Sequence, residues 1–129
     1  MTTFAAAGAR VMLTSRKEDA LAAAAREIDG ETAIHAANAG DPAAALDCVR
    51  ATIERFGALD VLVNNAATNP YFGPTLEVDE GRYDKTFQVN LRGPLFWAKA
   101  AWDAWMKDHP GVIVNIASVG GLRAEYGLG

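Results

Sequence analysis

The chain has one cysteine, Cys48, in 129 residues, so it can form no internal disulfide, and the expected environment is reducing. Histidine is nearly as scarce. His35 and His109 lie far apart and far from Cys48, which leaves no recognisable metal-ligand spacing. Basic residues are outnumbered: 12 Lys and Arg face 16 Asp and Glu, for a net charge of -4. Arg16-Lys17 is the single adjacent basic pair, so there is no cationic stripe to neutralise a phosphate backbone, and nucleic acid is not expected as a partner. No run approaches the ~18 consecutive apolar residues that a membrane span needs. The opening Met1-Thr2-Thr3-Phe4-Ala5 has no basic segment of the secretory kind, and the expected location is the cytoplasm.

What is present describes a soluble globular chain of single-domain size, with 50% hydrophobic and 22% charged residues. Residues 8–14 read as a turn feeding a short buried strand, and residues 17–28 as a helix stopped by Asp29-Gly30. Residues 32–37 form a second, weaker strand. Asp41-Pro42 starts a helix, because Asp accepts from free N–H groups and Pro at the first position gives up no needed donor. That helix should reach Phe56 and end at Gly57. A third strand covers residues 59–63, residues 69–74 are an irregular loop, and a helical region runs from Val78-Asp79-Glu80 to Asp108. Pro110-Gly111 breaks it before a fourth strand at residues 112–116. The alanine-rich stretches 22–25 and 43–45 fit close helix packing. The order β-α-β-α-β-α-β predicts an α/β fold with a parallel sheet, half of a doubly wound unit.

Three places carry chemistry. The run Leu59-Asp60-Val61-Leu62-Val63-Asn64-Asn65-Ala66-Ala67 is a buried strand ending in amides and small residues, which suits a ligand at the strand's carboxyl end. Asn90 interrupts an apolar helical stretch, where an amide needs a tertiary reason. Ser118 closes Val112-Ile113-Val114-Asn115-Ile116-Ala117-Ser118, and Val119-Gly120-Gly121 after it leaves room for a substrate.

Together these residues resemble the short-chain dehydrogenase/reductase family. The resemblance implies an NAD(P)-dependent oxidoreductase moving hydride between nicotinamide and a carbonyl or alcohol substrate, nearest to carbonyl reductases and 3-oxoacyl reductases. It places Asn64, Asn65 and Ala66 beside the cofactor, with Ala67 where the family has Gly. Asn64 and Asn65 can also satisfy strand-end backbone, a compatible role. By the same resemblance Asn90 holds a proton-relay water, and Ser118 hydrogen-bonds the substrate oxygen as charge grows on it. Arg16 and Ser15 follow the strand where the family selects its ribose. An arginine there suits the 2'-phosphate of NADP, whereas NAD enzymes carry an acid. Asn38 stands where Asp usually contacts adenine, and Ala39 follows it.

The family's Gly-x-x-x-Gly-x-Gly loop is not found before Phe4-Ala5-Ala6-Ala7-Gly8. Its catalytic tyrosine and lysine are not found after Ser118, since Tyr126 is too close and reads as a substrate-loop residue. Residues 1–129 are therefore expected to be an incomplete Rossmann-type domain, without the first strand, the phosphate loop and the C-terminal strands. In the family order 3-2-1-4-5-6-7 that first strand is central, so two separate strand pairs and an unstable or rearranged product are expected. Turnover by the chain alone is not expected. The alternatives are a gene remnant, a subunit pairing with relatives, or a bare nucleotide-binding module. Tyr71 and Phe72 could wall a substrate or pack on the following helix. Trp97, Trp102 and Trp105 read as core or subunit-interface residues, and the family implies a homo-oligomer.

Overall fold

The computed structural model describes residues 1–123 and 126–127. A short helix α1 (Thr2–Ala6) precedes β1 (Val11–Ser15), α2 (Glu18–Arg26), β2 (Thr32–Ala36), α3 (Pro42–Phe56) and β3 (Val61–Asn64). Helices α4 (Glu80–Phe87) and α5 (Gly93–Ala101) then lead to β4 (Val112–Asn115). Sequence patterning anticipated all of these except α1, with ends shifted by one or two residues in α2 and the strands.

Local chemistry sets the boundaries. Asp41 holds extended backbone and its Oδ1 accepts from the Ala43 N–H at 2.9 Å, while Pro42 takes the first helical position of α3. Gly57 closes that helix at φ 77°, in the left-handed region open to glycine. The helical region expected up to Asp108 is continuous from Glu80 to Met106, with α4 and α5 joined by a π-helical turn at Gln88–Arg92 and a second such turn at Trp102–Met106. Pro94 has no N–H to offer the Asn90 carbonyl, so the regular four-residue ladder is interrupted where the first wide turn forms.

Asp79 caps α4. Its Oδ1 accepts from the Arg82 N–H at 3.0 Å and its Oδ2 pairs with Arg82 Nη1 at 2.8 Å. The backbone donor first, then the Arg82 charge, holds the Asp79 carboxyl below its ordinary value. A lowered folded-state value means that the cap's contribution is complete above the unfolded value of about 3.9 and is lost as pH falls through the folded one. Acid titration followed by NMR should therefore move the Arg82 amide and speed its exchange below about pH 4. An Arg82 amide indifferent to pH in that range would contradict the cap.

Strands β1 and β2 pair in parallel from Val11↔Thr32 to Ser15↔Ala36. Strands β3 and β4 pair in parallel from Val61↔Val112 to Asn64↔Asn115. No ladder joins β1 to β3, so the sheet is split into two pairs, the gap expected from a partial Rossmann-like fold without its central strand. One shared core holds the halves together. It joins Ala45, Cys48 and Val49 of α3 to Trp97, Ala100 and Ala101 of α5, with Ala37, Leu59, Leu62 and Met106. Ala45 and Ala101 are completely buried, and their lack of bulk lets α3 and α5 approach closely. Trp97 is in this core and Trp105 packs against it, while Trp102 is exposed. The three tryptophans therefore divide between interior and surface.

Candidate cofactor cleft

The C-terminal ends of β1, β2 and β3 open onto one cleft of about 720 Å³. Every cofactor-side residue expected from sequence lines it: Ser15, Arg16, Asn38, Ala39, Asn64, Asn65 and Ala66. Parallel strands bring their carboxyl ends to the same side, which is why segments distant in sequence meet here.

Each wall has its own support. Ser15 Oγ accepts from the Lys17 N–H at 3.4 Å, shaping the turn that carries Arg16. Arg16 is exposed and forms no ion pair with an acid among the described residues. Asn38 Oδ1 accepts from the Gly40 N–H at 3.1 Å, which folds the segment after β2 into a turn. The Ala39 carbonyl accepts from Trp97 Nε1 at 3.1 Å. Gly93 faces the same carbonyl so closely that a Cβ there would lie 2.6 Å from the Ala39 oxygen. Helix α5 thus docks on the cleft wall through one hydrogen bond and one missing side chain.

The Asn-Asn-Ala-Ala run divides its work. Asn64 Nδ2 donates to Asn115 Oδ1 at 2.9 Å and reaches the Pro94 carbonyl at 3.5 Å. It therefore ties the ends of β3 and β4 to the start of α5. Asn65, Ala66 and Ala67 continue along the cleft.

Asn90 and Ser118 are not among the lining residues. Asn90 Oδ1 accepts from the Thr68 N–H at 2.8 Å, and its Nδ2 donates to the Thr68 carbonyl, also at 2.8 Å. This two-point bridge fixes the loop after β3 to the π-helical turn, and Thr68 itself lines the cleft. Ser118 lies three residues beyond β4, at the same end of the β3–β4 pair as Asn64. It caps the short 3-10 turn Val119–Gly121, with Oγ accepting from the Gly120 N–H at 3.1 Å. Its hydroxyl proton remains available to an acceptor.

Among the residues not singled out for this cleft from sequence, Trp97 and Lys85 line it, while Gly93 and Asn115 act on its walls through Ala39 and Asn64. Glycine inside a helix costs stability, so Gly93 carried a signal of close approach without naming what approaches. Asn115 is strand-end chemistry of the same kind as Asn64. Lys85 lines the cleft, with Nζ donating to Gln88 Oε1 at 3.2 Å, and no sequence spacing announces that placement. Cys48 also faces the cleft, where burial pushes its thiol up and keeps it protonated. Outside the cleft, the Tyr71 hydroxyl donates to the Pro74 carbonyl at 3.0 Å, and the Arg82 guanidinium lies 5.8 Å from its ring centre. Tyr71 is thus engaged by its own loop and by α4, while Phe72 and Tyr126 are exposed.

Parallel strand pairs, α3 and α5 packed across them, and a cleft at the carboxyl ends define a partial Rossmann-like unit. Its relatives narrow the class. The family model described as short chain dehydrogenase matches residues 1–128. Short chain dehydrogenase/reductase dpmpG of Macrophomina phaseolina is 38% identical over 121 residues, covering 89% of this chain and 69% of that protein. Human dehydrogenase/reductase SDR family member 4 is 31% identical over 127 residues, covering 94% of this chain and 45% of the relative. A metagenomic short-chain oxidoreductase solved in complex with NADP superimposes with a TM-score of 0.88 at 32% identity, covering 97% of this chain and 58% of that one. The chain belongs to the short-chain dehydrogenase/reductase family. It spans less than half the length of the human relative.

Proposed function

We propose that this chain is the cofactor-side portion of an NADP-dependent oxidoreductase acting on a small carbonyl or alcohol substrate in the cytoplasm. One observation carries the reading: Arg16, free of any acid among the described residues, shares a cleft with Asn38, Ala39, Asn64, Asn65 and Ala66 at the strand ends. The arrangement fits an adenine nucleotide carrying a 2'-phosphate. Arg16 supplies a charge-assisted, forked donor set, Ser15 adds a hydroxyl, and the small Ala39 and Ala66 leave the backbone approachable. When bound, the nicotinamide supplies or accepts the hydride. Ser118 Oγ–H donates to the substrate oxygen and orients it, while Asn90 holds the Thr68 loop and, as in the family, carries a relay water.

Adenosine 2',5'-bisphosphate isolates the phosphate contact. Arg16→Gln should weaken its binding about 10- to 100-fold by calorimetry, as expected for a lost charged hydrogen bond. Adenosine 5'-monophosphate should bind parent and variant alike. Equal losses for both ligands would remove Arg16 from phosphate recognition.

These 129 residues include neither a Gly-x-x-x-Gly-x-Gly loop nor a Tyr-x-x-x-Lys pair, so we expect no NADPH consumption by the chain alone against a panel of carbonyl compounds. Turnover abolished by Ser118→Ala would overturn that expectation. A second, non-enzymatic reading as a pairing subunit is favoured by the exposed ridge of Tyr83, Phe87, Leu91, Leu95 and Trp102. Their spacing along α4 and α5 lets one apolar stripe meet another chain, as in a homo-oligomer.

A further inference from the structure

The wall of the cleft at Asn38, Ala39 and Lys85 offers its hydrogen-bonding groups unevenly. The oxygens of Asn38, Ala39 and Gln88 each accept a proton from within the chain. Asn38 Oδ1 accepts from the Gly40 N–H at 3.1 Å, and the Asn38 carbonyl from the Asp41 N–H at 3.0 Å. The Ala39 carbonyl accepts from Trp97 Nε1 at 3.1 Å, and Gln88 Oε1 from Lys85 Nζ at 3.2 Å. The donors are left over. A backbone N–H can bond only to the oxygen of an amide side chain, so the Gly40 contact orients the Asn38 amide and leaves Nδ2 unspent. The Ala39 N–H has no partner among the described residues. Lys85 is half-buried, keeps protons beyond the one given to Gln88, and forms no ion pair with an acid among the described residues.

Lys85 belongs to this wall because Gln88 sits on Gly40. A Cβ on Gly40 would lie 3.0 Å from Gln88 Cγ and 3.3 Å from the Gln88 carbonyl oxygen. That contact sets the end of α4 over the turn after β2, and Lys85 and Asn38 both line the cleft. Asp60 is the one carboxylate among the described lining residues, and it stands at the amino end of β3, the opposite end from Asn38.

We propose that this wall holds the base of a purine nucleotide through ring-nitrogen lone pairs, with Lys85 as a contact residue, and leaves the substituent at carbon 6 unread. The proposal rests on the nucleotide reading above and deepens it by naming how the base is recognised. Ring nitrogens are acceptors, so they match Asn38 Nδ2, the Ala39 N–H and Lys85 Nζ. An amine at carbon 6 is a donor, and each oxygen of Asn38, Ala39 and Gln88 is already engaged. Its protons stay with water, so removing the amine costs little affinity.

The test uses the full 129-residue chain, calorimetry and NMR, with adenosine 5'-monophosphate and purine riboside 5'-monophosphate. The second ligand lacks the amine and keeps the ring nitrogens. On the parent chain the two should bind within about threefold of each other, and both should shift the Ala39 amide resonance. Lys85→Met should weaken both about tenfold, as a charged hydrogen bond is lost. It should weaken adenosine by the same factor, which assigns Lys85 to the base and not to the phosphate. Lys85→Arg keeps a charged donor and should retain binding, and the parent comparison needs no variant. Purine riboside 5'-monophosphate bound more than about threefold more weakly than adenosine 5'-monophosphate overturns the proposal. So does a Lys85→Met effect that is absent, or confined to ligands with a phosphate. Those results leave the nucleotide reading standing, whereas no binding of either nucleotide overturns both.

Discussion

Trp97→Ala should leave the chain largely unfolded in buffer. The indole is 8% exposed and lies in the layer of α5 that meets α3 and β3. Truncating a buried tryptophan removes its transfer energy and opens a cavity, at a typical cost of about 3–5 kcal/mol. A small domain has only about 5–15 kcal/mol in total. This fold starts from the weak end of that range, because two strand edges are unpaired and Val61, Val112, Ile113 and Ile116 are exposed on the β3–β4 pair. The same truncation strands the Ala39 carbonyl, which accepts from the Trp97 indole N–H. Trp97→Phe separates the two effects. It keeps most of the ring and loses the donor, so it should cost about 1–3 kcal/mol. Urea unfolding followed by circular dichroism measures both variants. A cooperative transition for Trp97→Ala within about 1 kcal/mol of the parent would show that α5 is not held by this residue.

Gly93→Ala should destabilise the chain and weaken nucleotide binding together. Intrinsic helix propensity favours alanine over glycine by about 1 kcal/mol, and the Gly93 backbone is already helical, at φ -52°. The opposing contact is stronger, because the new Cβ would meet the Ala39 carbonyl oxygen at 2.6 Å. That oxygen is backbone and is anchored by Trp97, so neither partner yields cheaply. Overpacking of this kind costs about 1–3 kcal/mol. Displacement of Ala39 also changes the cleft wall, so affinity for adenosine 2',5'-bisphosphate should fall with stability. A variant as stable as the parent would mean that α5 can shift without loss, and that Gly93 does not set its distance from the wall.

Much of the fold was legible before any coordinates. Asp41-Pro42 and Gly57 bracket α3 because capping and left-handed backbone are local properties, carried by the residues themselves. The apolar and β-branched runs at residues 59–63 and 112–116 identify strands for the same reason. Trp97 and Trp102 could not be told apart from sequence. Both are large and apolar on one helical stretch, and only the docking of α5 on α3 decides which is buried. The turns at Gln88–Arg92 and Trp102–Met106 were likewise hidden, since a π turn changes the hydrogen-bond ladder without changing the apolar pattern strongly.

The cleft follows the same division. Ser15, Arg16, Asn38, Ala39, Asn64, Asn65 and Ala66 were readable because each follows or ends a recognisable strand and matches the position that the family resemblance assigns to the cofactor side. Asn90 was readable as an amide that needed a partner, but its partner, the Thr68 backbone, is 22 residues away and is set by the loop path. By itself, then, the sequence determined the four strands, α2, α3 and the helical region before β4, their parallel order and the residues at the strand ends, largely through short-range chemistry. Tertiary structure alone decided that α5 clamps Ala39 through Gly93 and Trp97, that Lys85 joins the cleft, and that Thr14 Oγ1 has no oxygen or nitrogen partner among the described residues. Those outcomes depend on where separate segments meet in space, which no local pattern encodes.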